Sequence, residues 1–196
     1  MPLRHYKYWI FDMDGTLTLP VHDFEEIRSK LGIDPGKPIL EAIDSMVEDQ
    51  AHTARSELHR LEMMLAHEAK PQPEIGSVLE ALQRKGCRLG ILTRNGDEIS
   101  RATLKAAGLS QFFLPDAIIS RDDCTPKPNP DGVFLLLNRW NADKGKSVIV
   151  GDFLYDIQAG FDAGIDTVHF DSAGLFQWPE FTHHKITRMA DIKAMI

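Results

Sequence analysis

The chain has 196 residues, 43% hydrophobic and 26% charged, which is enough for one compact globular domain with an insertion and excludes fibrous and disordered classes. Its 22 Lys and Arg are outnumbered by 29 Asp and Glu, and the net charge of −7 argues against non-specific binding to nucleic acid or to an anionic membrane. No apolar run approaches the ~18 residues of a membrane span. The two cysteines, Cys87 and Cys124, form no CxxC pair, which suits a reducing cytoplasm rather than a disulfide scaffold.

In chain order, the apolar patch of MPLRHYKYWIFDMDG runs straight into two aspartates, so it reads as a strand over 8–11 rather than a secretory or anchoring segment. Residues 22–31, 37–48 and 52–69 carry helical patterns. The turn cluster GIDPGKP separates the first two, and Pro71-Gln72-Pro73 closes the stretch. From there strands and helices alternate. Helices are expected at 74–85, 97–107, 130–140 and 155–163. Strands are expected at 88–93, 117–120, 147–150 and 166–170. Short, mostly apolar strands alternating with helices imply right-handed crossovers and a parallel sheet covered on both faces. The expected fold is therefore α/β, a parallel sheet core with a small helical cap inserted after the first strand, the core being Rossmann-like by the family resemblance that the motifs below carry. Residues 1–17 and 74–196 would form the core and 18–73 the cap.

Polar residues sit at the carboxyl ends of four of these strands. Asp12 and Asp14 follow the first, Thr93 ends the second, Lys127 follows the third, and Asp152 and Asp156 follow the fourth. In a parallel sheet that edge is where ligands bind. Asp12, Asp152 and Asp156 would crowd negative charge into one cleft, which a hard cation with oxygen ligands such as Mg²⁺ relieves. Lys127 and the Thr93 hydroxyl add anion-holding groups, so the set describes a phosphoryl-binding site. Asp12 and Asp14, two apart in extended chain, would face the same side, and Gly15 would let the backbone turn away. One carboxylate can then attack phosphorus while the other moves a proton.

DMDGTLT at 12–18, Thr93, Lys127 in KPNPD, and Asp152 and Asp156 in GDFLYD resemble the four motifs of the haloacid dehalogenase-like hydrolases. The helical insert is similar in position to the small cap of phosphoglycolate phosphatase-like members. The resemblance implies that Asp12 is the nucleophile and Asp14 the general acid and base. It also implies that Thr93 and Lys127 hold the phosphoryl oxygens. Mg²⁺ would be bound by Asp12, Asp152 and the backbone carbonyl of Asp14, with Asp156 ligating or supporting. Arg94, where such phosphatases often read Thr-Asn, is a further candidate for the phosphate or the far end of the substrate. The implied activity is hydrolysis of a small phosphorylated metabolite, with oligomeric state left open. A phosphomutase would keep the same aspartate pair. A non-catalytic regulatory protein on this scaffold would usually have lost one of these groups, and none is missing.

Other patterns lead nowhere. An EF-hand loop over 12–23 would place Leu17 where Gly is needed and Asp23 where Glu is usual. Gly145-Lys146-Ser147 lacks the earlier Gly of a Walker A loop, and no GxGxxG follows the first strand. His52, His59 and His67 read as a solvated helix face. Lys37, Arg55 and Arg60 read as surface charges, and Met46, Met63 and Met64 as core of the insert. Trp140 and Trp178 read as packing residues.

Overall fold

A computed structural model describes residues 2–21 and 23–196. Met1, the first residue of the expected core, and His22, the start of the first expected helix, lie outside the described residues. Among those described, six strands form one sheet: β1 Tyr8–Phe11, β2 Arg88–Leu92, β3 Ile118–Ile119, β4 Ser147–Gly151, β5 Asp166–Phe170 and β6 His184–Ile186. Their order is β3-β2-β1-β4-β5-β6, and every neighbouring pair is parallel. The helices are α1 Phe24–Leu31, α2 Ile39–Asp44, α3 Glu48–His67, α4 Ile75–Arg84, α5 Asp97–Ala106, α6 Asp131–Trp140, α7 Leu154–Ala163 and α8 Ala190–Met195.

The pleat divides β1 between two cores. Trp9 and Phe11 join Leu79, Leu82, Leu104 and Ile192 on one face. Ile10 joins Val133, Leu136, Ile149 and Ala159 on the other. Covering both faces removes the need for polar alternation, which is why the strands read as apolar runs. Two glycines let elements approach closely. A Cβ on Gly160 of α7 would run into the Ile149 side chain of β4, and one on Gly90 of β2 would meet the Trp140 ring. Trp140 also stacks on Tyr8, with ring centroids 5.8 Å apart. A third apolar cluster, built on Ile27, Ile43, Ala54, Leu58 and Leu61, is made by α1, α2 and α3 among themselves.

Several elements differ from expectation. β3 keeps only two of the four expected residues. Pro115–Ala117 is a 3₁₀ turn, and the Ser120 N–H donates to Asp123 Oδ2 instead of a ladder. The second expected helix stops at Asp44, where the Ser45 hydroxyl donates to Ala42 O, and α3 begins four residues early at Glu48. Met64, expected in the core of the insert, is 56% exposed. β6 and α8 were not expected. β6 reads His-Lys-Ile and has no apolar run to announce it; pairing with β5 makes it a strand. α8 spans six residues and is anchored by the fully buried Ile192.

Candidate active site

The register of the sheet brings the motif residues together. Phe11 lies opposite Ile91 on one side and Val150 on the other, so β2 and β4 each run one residue past the end of β1. The next residues of those strands emerge side by side at strand spacing, roughly 5 Å apart. The Asp12 N–H still donates to Val150 O at 2.9 Å, and the Thr93 N–H to Ile119 O at 3.0 Å. The backbone is therefore fixed where the functional side chains begin.

Asp12, Asp152 and Asp156 each offer a carboxylate oxygen, and these oxygens lie within 4.8 Å of one another. Lys127 reaches them from the loop after β3. Its ammonium is 1% exposed and donates to Asp12 Oδ1 at 2.5 Å and to Asp156 Oδ1 at 2.6 Å. The second oxygen of Asp156 accepts from the Phe153 N–H at 3.0 Å, across the first turn of α7. Asp152 Oδ1 accepts from the Thr16 hydroxyl at 2.9 Å, and Asp14 Oδ2 from the Asn95 amide at 2.7 Å. Thr93 is buried, and its hydroxyl accepts from the Asn95 N–H at 3.1 Å.

Two glycines make room for this cluster. Gly15 has φ +88°, and a Cβ there would overlap the Asp152 carboxylate. A Cβ on Gly151 would overlap Asp156. The Gln72 amide donates to Gly15 O at 2.8 Å, tying the turn to the segment that leads into α4.

The electrostatics follow from burial and crowding. Burial pushes the Asp12 carboxyl well above its ordinary pKa, and Asp156 and Asp152 push it further against the pull of Lys127. Burial, with Asp156 beside it, lifts Asp152 to about 7, while the Thr16 hydroxyl works the other way. Burial alone would lower the Lys127 ammonium, but Asp12 and Asp156 outweigh it and hold its pKa above the ordinary value. One lysine thus stands among three carboxylates, two of them buried. An all-oxygen donor set with surplus negative charge fits a hard divalent cation such as Mg²⁺.

The cluster opens into a cavity of about 840 Å³ that also touches Asp14, Thr93, Arg94 and side chains from the insert. The guanidinium of Arg94, a phosphate candidate from its position, lines this cavity with both terminal nitrogens already bonded. Its Nη2 donates to both oxygens of Glu41 on α2, at 2.8 and 3.0 Å, and its Nη1 donates to Lys127 O. Its face lies 4.9 Å from the Tyr155 ring centroid. A second pair joins the insert to the sheet: Arg121 donates to both oxygens of Glu62 on α3, at 2.8 and 2.7 Å. Sequence reasoning passed over Thr16, Glu41, Glu62, Gln72, Asn95 and Arg121. Thr16 and Asn95 lie within two residues of motif positions, which was the available signal. The other four carry none.

Residues 18–170 match the family model described as haloacid dehalogenase-like hydrolase. An uncharacterized hydrolase of Saccharomyces cerevisiae is 28% identical over 201 residues, covering 99% of this chain and 92% of its own length. The phosphoglycolate phosphatase of Aquifex aeolicus is 32% identical over 178 residues, covering 81% of each chain. The crystal structure of a hydrolase from Pseudomonas syringae superposes with a TM-score of 0.81 at 21% identity, covering 96% of both chains, a likeness of fold.

Proposed function

The chain belongs to the haloacid dehalogenase-like hydrolases, and from that premise we propose that it is a Mg²⁺-dependent phosphomonoesterase of small phosphorylated metabolites working through a phosphorylated Asp12. The observation that carries this reading is the convergence of Asp12, Asp152 and Asp156 around the buried Lys127 ammonium from three separate segments. Residues 18–73 serve as a cap over a core formed by 1–17 and 74–196, closing over the substrate and excluding bulk water. The free thiols of Cys87 and Cys124 suit a cytoplasmic location.

Lys127 grips Asp12 Oδ1 and so sets the rotation of the nucleophilic carboxylate. The carboxylate attacks phosphorus, the bond from phosphorus to the ester oxygen breaks, and Asp14 donates a proton to the departing alkoxide. Water then attacks the acyl phosphate, Asp14 takes its proton, and Asp12 is released with inorganic phosphate. The Asn95 amide orients Asp14 for both transfers. The Thr93 hydroxyl and Lys127 hold the phosphoryl oxygens. Asp12, Asp152 and the backbone carbonyl of Asp14 would hold Mg²⁺, with Asp156 fixing Lys127 in place. The ion supplies charge neutralisation for the phosphoryl group. Arg94, held by Glu41, is left out of phosphoryl binding.

Phosphate release from a panel of phosphate esters, with and without MgCl₂, tests the reading. Asp12→Asn should abolish release while the chain still unfolds cooperatively. Retention of most activity in that variant would refute the nucleophile assignment.

A further inference from the structure

The cavity beyond the carboxylates carries a pattern of charge that bears on the leaving group. Among the described residues, seven carboxylates and four Lys or Arg side chains line it. Each of the four cations already has a carboxylate partner. Lys127 holds Asp12 and Asp156, and Arg121 holds Glu62 through both oxygens. Arg94 holds Glu41 through both oxygens, and Arg28 holds Glu25 at 2.8 Å. These arginines also hold backbone carbonyls: Arg28 Nε donates to Lys37 O, Arg94 Nη1 to Lys127 O, and Arg121 Nη1 to Arg94 O. Lys37, Arg55 and Arg60 are paired with Asp34, Asp44 and Glu57, and all three are at least half exposed. None of these three lines the cavity.

Apart from Thr93 and Asn95, the rest of the wall is apolar or aromatic. Phe24, Ile39, Leu40 and Leu58 come from the insert and Phe153 and Tyr155 from the start of α7. Phe24 and Phe153 keep 53% and 49% of their surface exposed. Large aromatic surface left open inside a cleft is what an apolar ligand covers.

We propose that the substrate is a phosphomonoester whose leaving alcohol is uncharged and carries an apolar or aromatic body. The paired Glu41 and Arg94 act as a filter against leaving groups with a second negative charge. This rests on the phosphomonoesterase reading. A second carboxylate or phosphate on the substrate finds each lining cation already paired, and it gains Arg94 only by displacing Glu41. An apolar body breaks none of these ion pairs and can cover the exposed surface of Phe24 and Phe153. The substrate class is therefore unlike a two-carbon phosphorylated acid or a diphosphate. The acidic cluster and its ion would cleave the ester, and the insert would select it through shape, with every Lys and Arg among the described lining residues already paired.

The test uses the full chain with MgCl₂ and three probes: benzyl phosphate, phosphoglycolate and pyrophosphate. Benzyl phosphate and phosphoglycolate both expel a primary alcohol, so leaving-group acidity does not dominate their comparison. The expected kcat/KM for benzyl phosphate exceeds the other two by at least tenfold. Glu41→Gln frees Arg94 and should raise the phosphoglycolate-to-benzyl ratio at least fivefold, mostly through KM. Phe24→Ala should raise KM for benzyl phosphate and leave that for phosphoglycolate within twofold. Preference of the unmodified protein for phosphoglycolate or pyrophosphate overturns the substrate class while leaving the phosphomonoesterase reading standing. An unmoved ratio in Glu41→Gln overturns the filter. Absence of Mg²⁺-dependent phosphate release from all three probes overturns the activity itself, and this inference with it.

Discussion

Replacing Asp152 with Asn removes one charge from the buried cluster while its amide oxygen can still accept from Thr16, 2.9 Å away from the native carboxylate. Burial and Asp156 raise Asp152 from 3.8 to about 7 in the folded chain. Between those two values the folded state binds a proton that the unfolded chain does not. The native carboxyl therefore contributes its full stability below about pH 4, and that contribution is lost as the pH rises to 7. At 1.36 kcal/mol per pH unit, the loss between pH 4.5 and 7 is roughly 3 kcal/mol. The asparagine has no such dependence. The metal-free variant should thus gain on the native protein by roughly 3 kcal/mol over that window, on the order of 6–12 °C in melting temperature for a chain of this size. Thermal melts of both proteins in EDTA at half-unit steps from pH 4.5 to 8 read the difference, since carboxyls outside the cluster contribute equally to both and the relief of Asp12 in the variant acts in the same direction. A divalent cation should reverse the ranking. MgCl₂ should stabilise the native chain more at pH 7.5 than at pH 5, because a deprotonated ligand binds it, and should do much less for Asp152→Asn. A constant difference between the two proteins across the pH range, or a difference that shrinks as pH rises, would refute the crowding argument.

Arg121→Ala should cost about 3 kcal/mol, because it strands the buried Glu62 carboxylate without its cation. Glu62→Gln in that background should recover part of the loss in urea unfolding. Gly160→Ala should cost about 1–3 kcal/mol, since its methyl group would collide with Ile149 and force α7 away from β4. The same unfolding midpoint measures it, and Gly108→Ala serves as the comparison: nothing lies near that position, so its cost comes from the φ of +67° alone.

What could be read from the chain alone followed from local pattern. Four-to-five-residue apolar runs marked β1, β2, β4 and β5, because strands covered on both faces need no polar alternation. The rule that parallel crossovers are right-handed and that ligands gather at carboxyl strand ends then placed Asp12, Asp14, Thr93, Lys127 and Asp152 at one edge. Their chemistry is local to each motif, and a regular sheet brings such positions together without any further information. The family resemblance rested on those same residues.

β6 and α8 lacked a local signal, because their order comes from an edge of β5 and a core contact that already exist when they dock. The pairs Arg94–Glu41, Arg121–Glu62 and Asn95–Asp14 join residues 53, 59 and 81 positions apart. A glutamate on an amphipathic helix looks the same in sequence whether water or a distant guanidinium neutralises it. Only the packing of the insert against the sheet brings particular charges within 3 Å, and that packing decides which cations in the cavity are already committed.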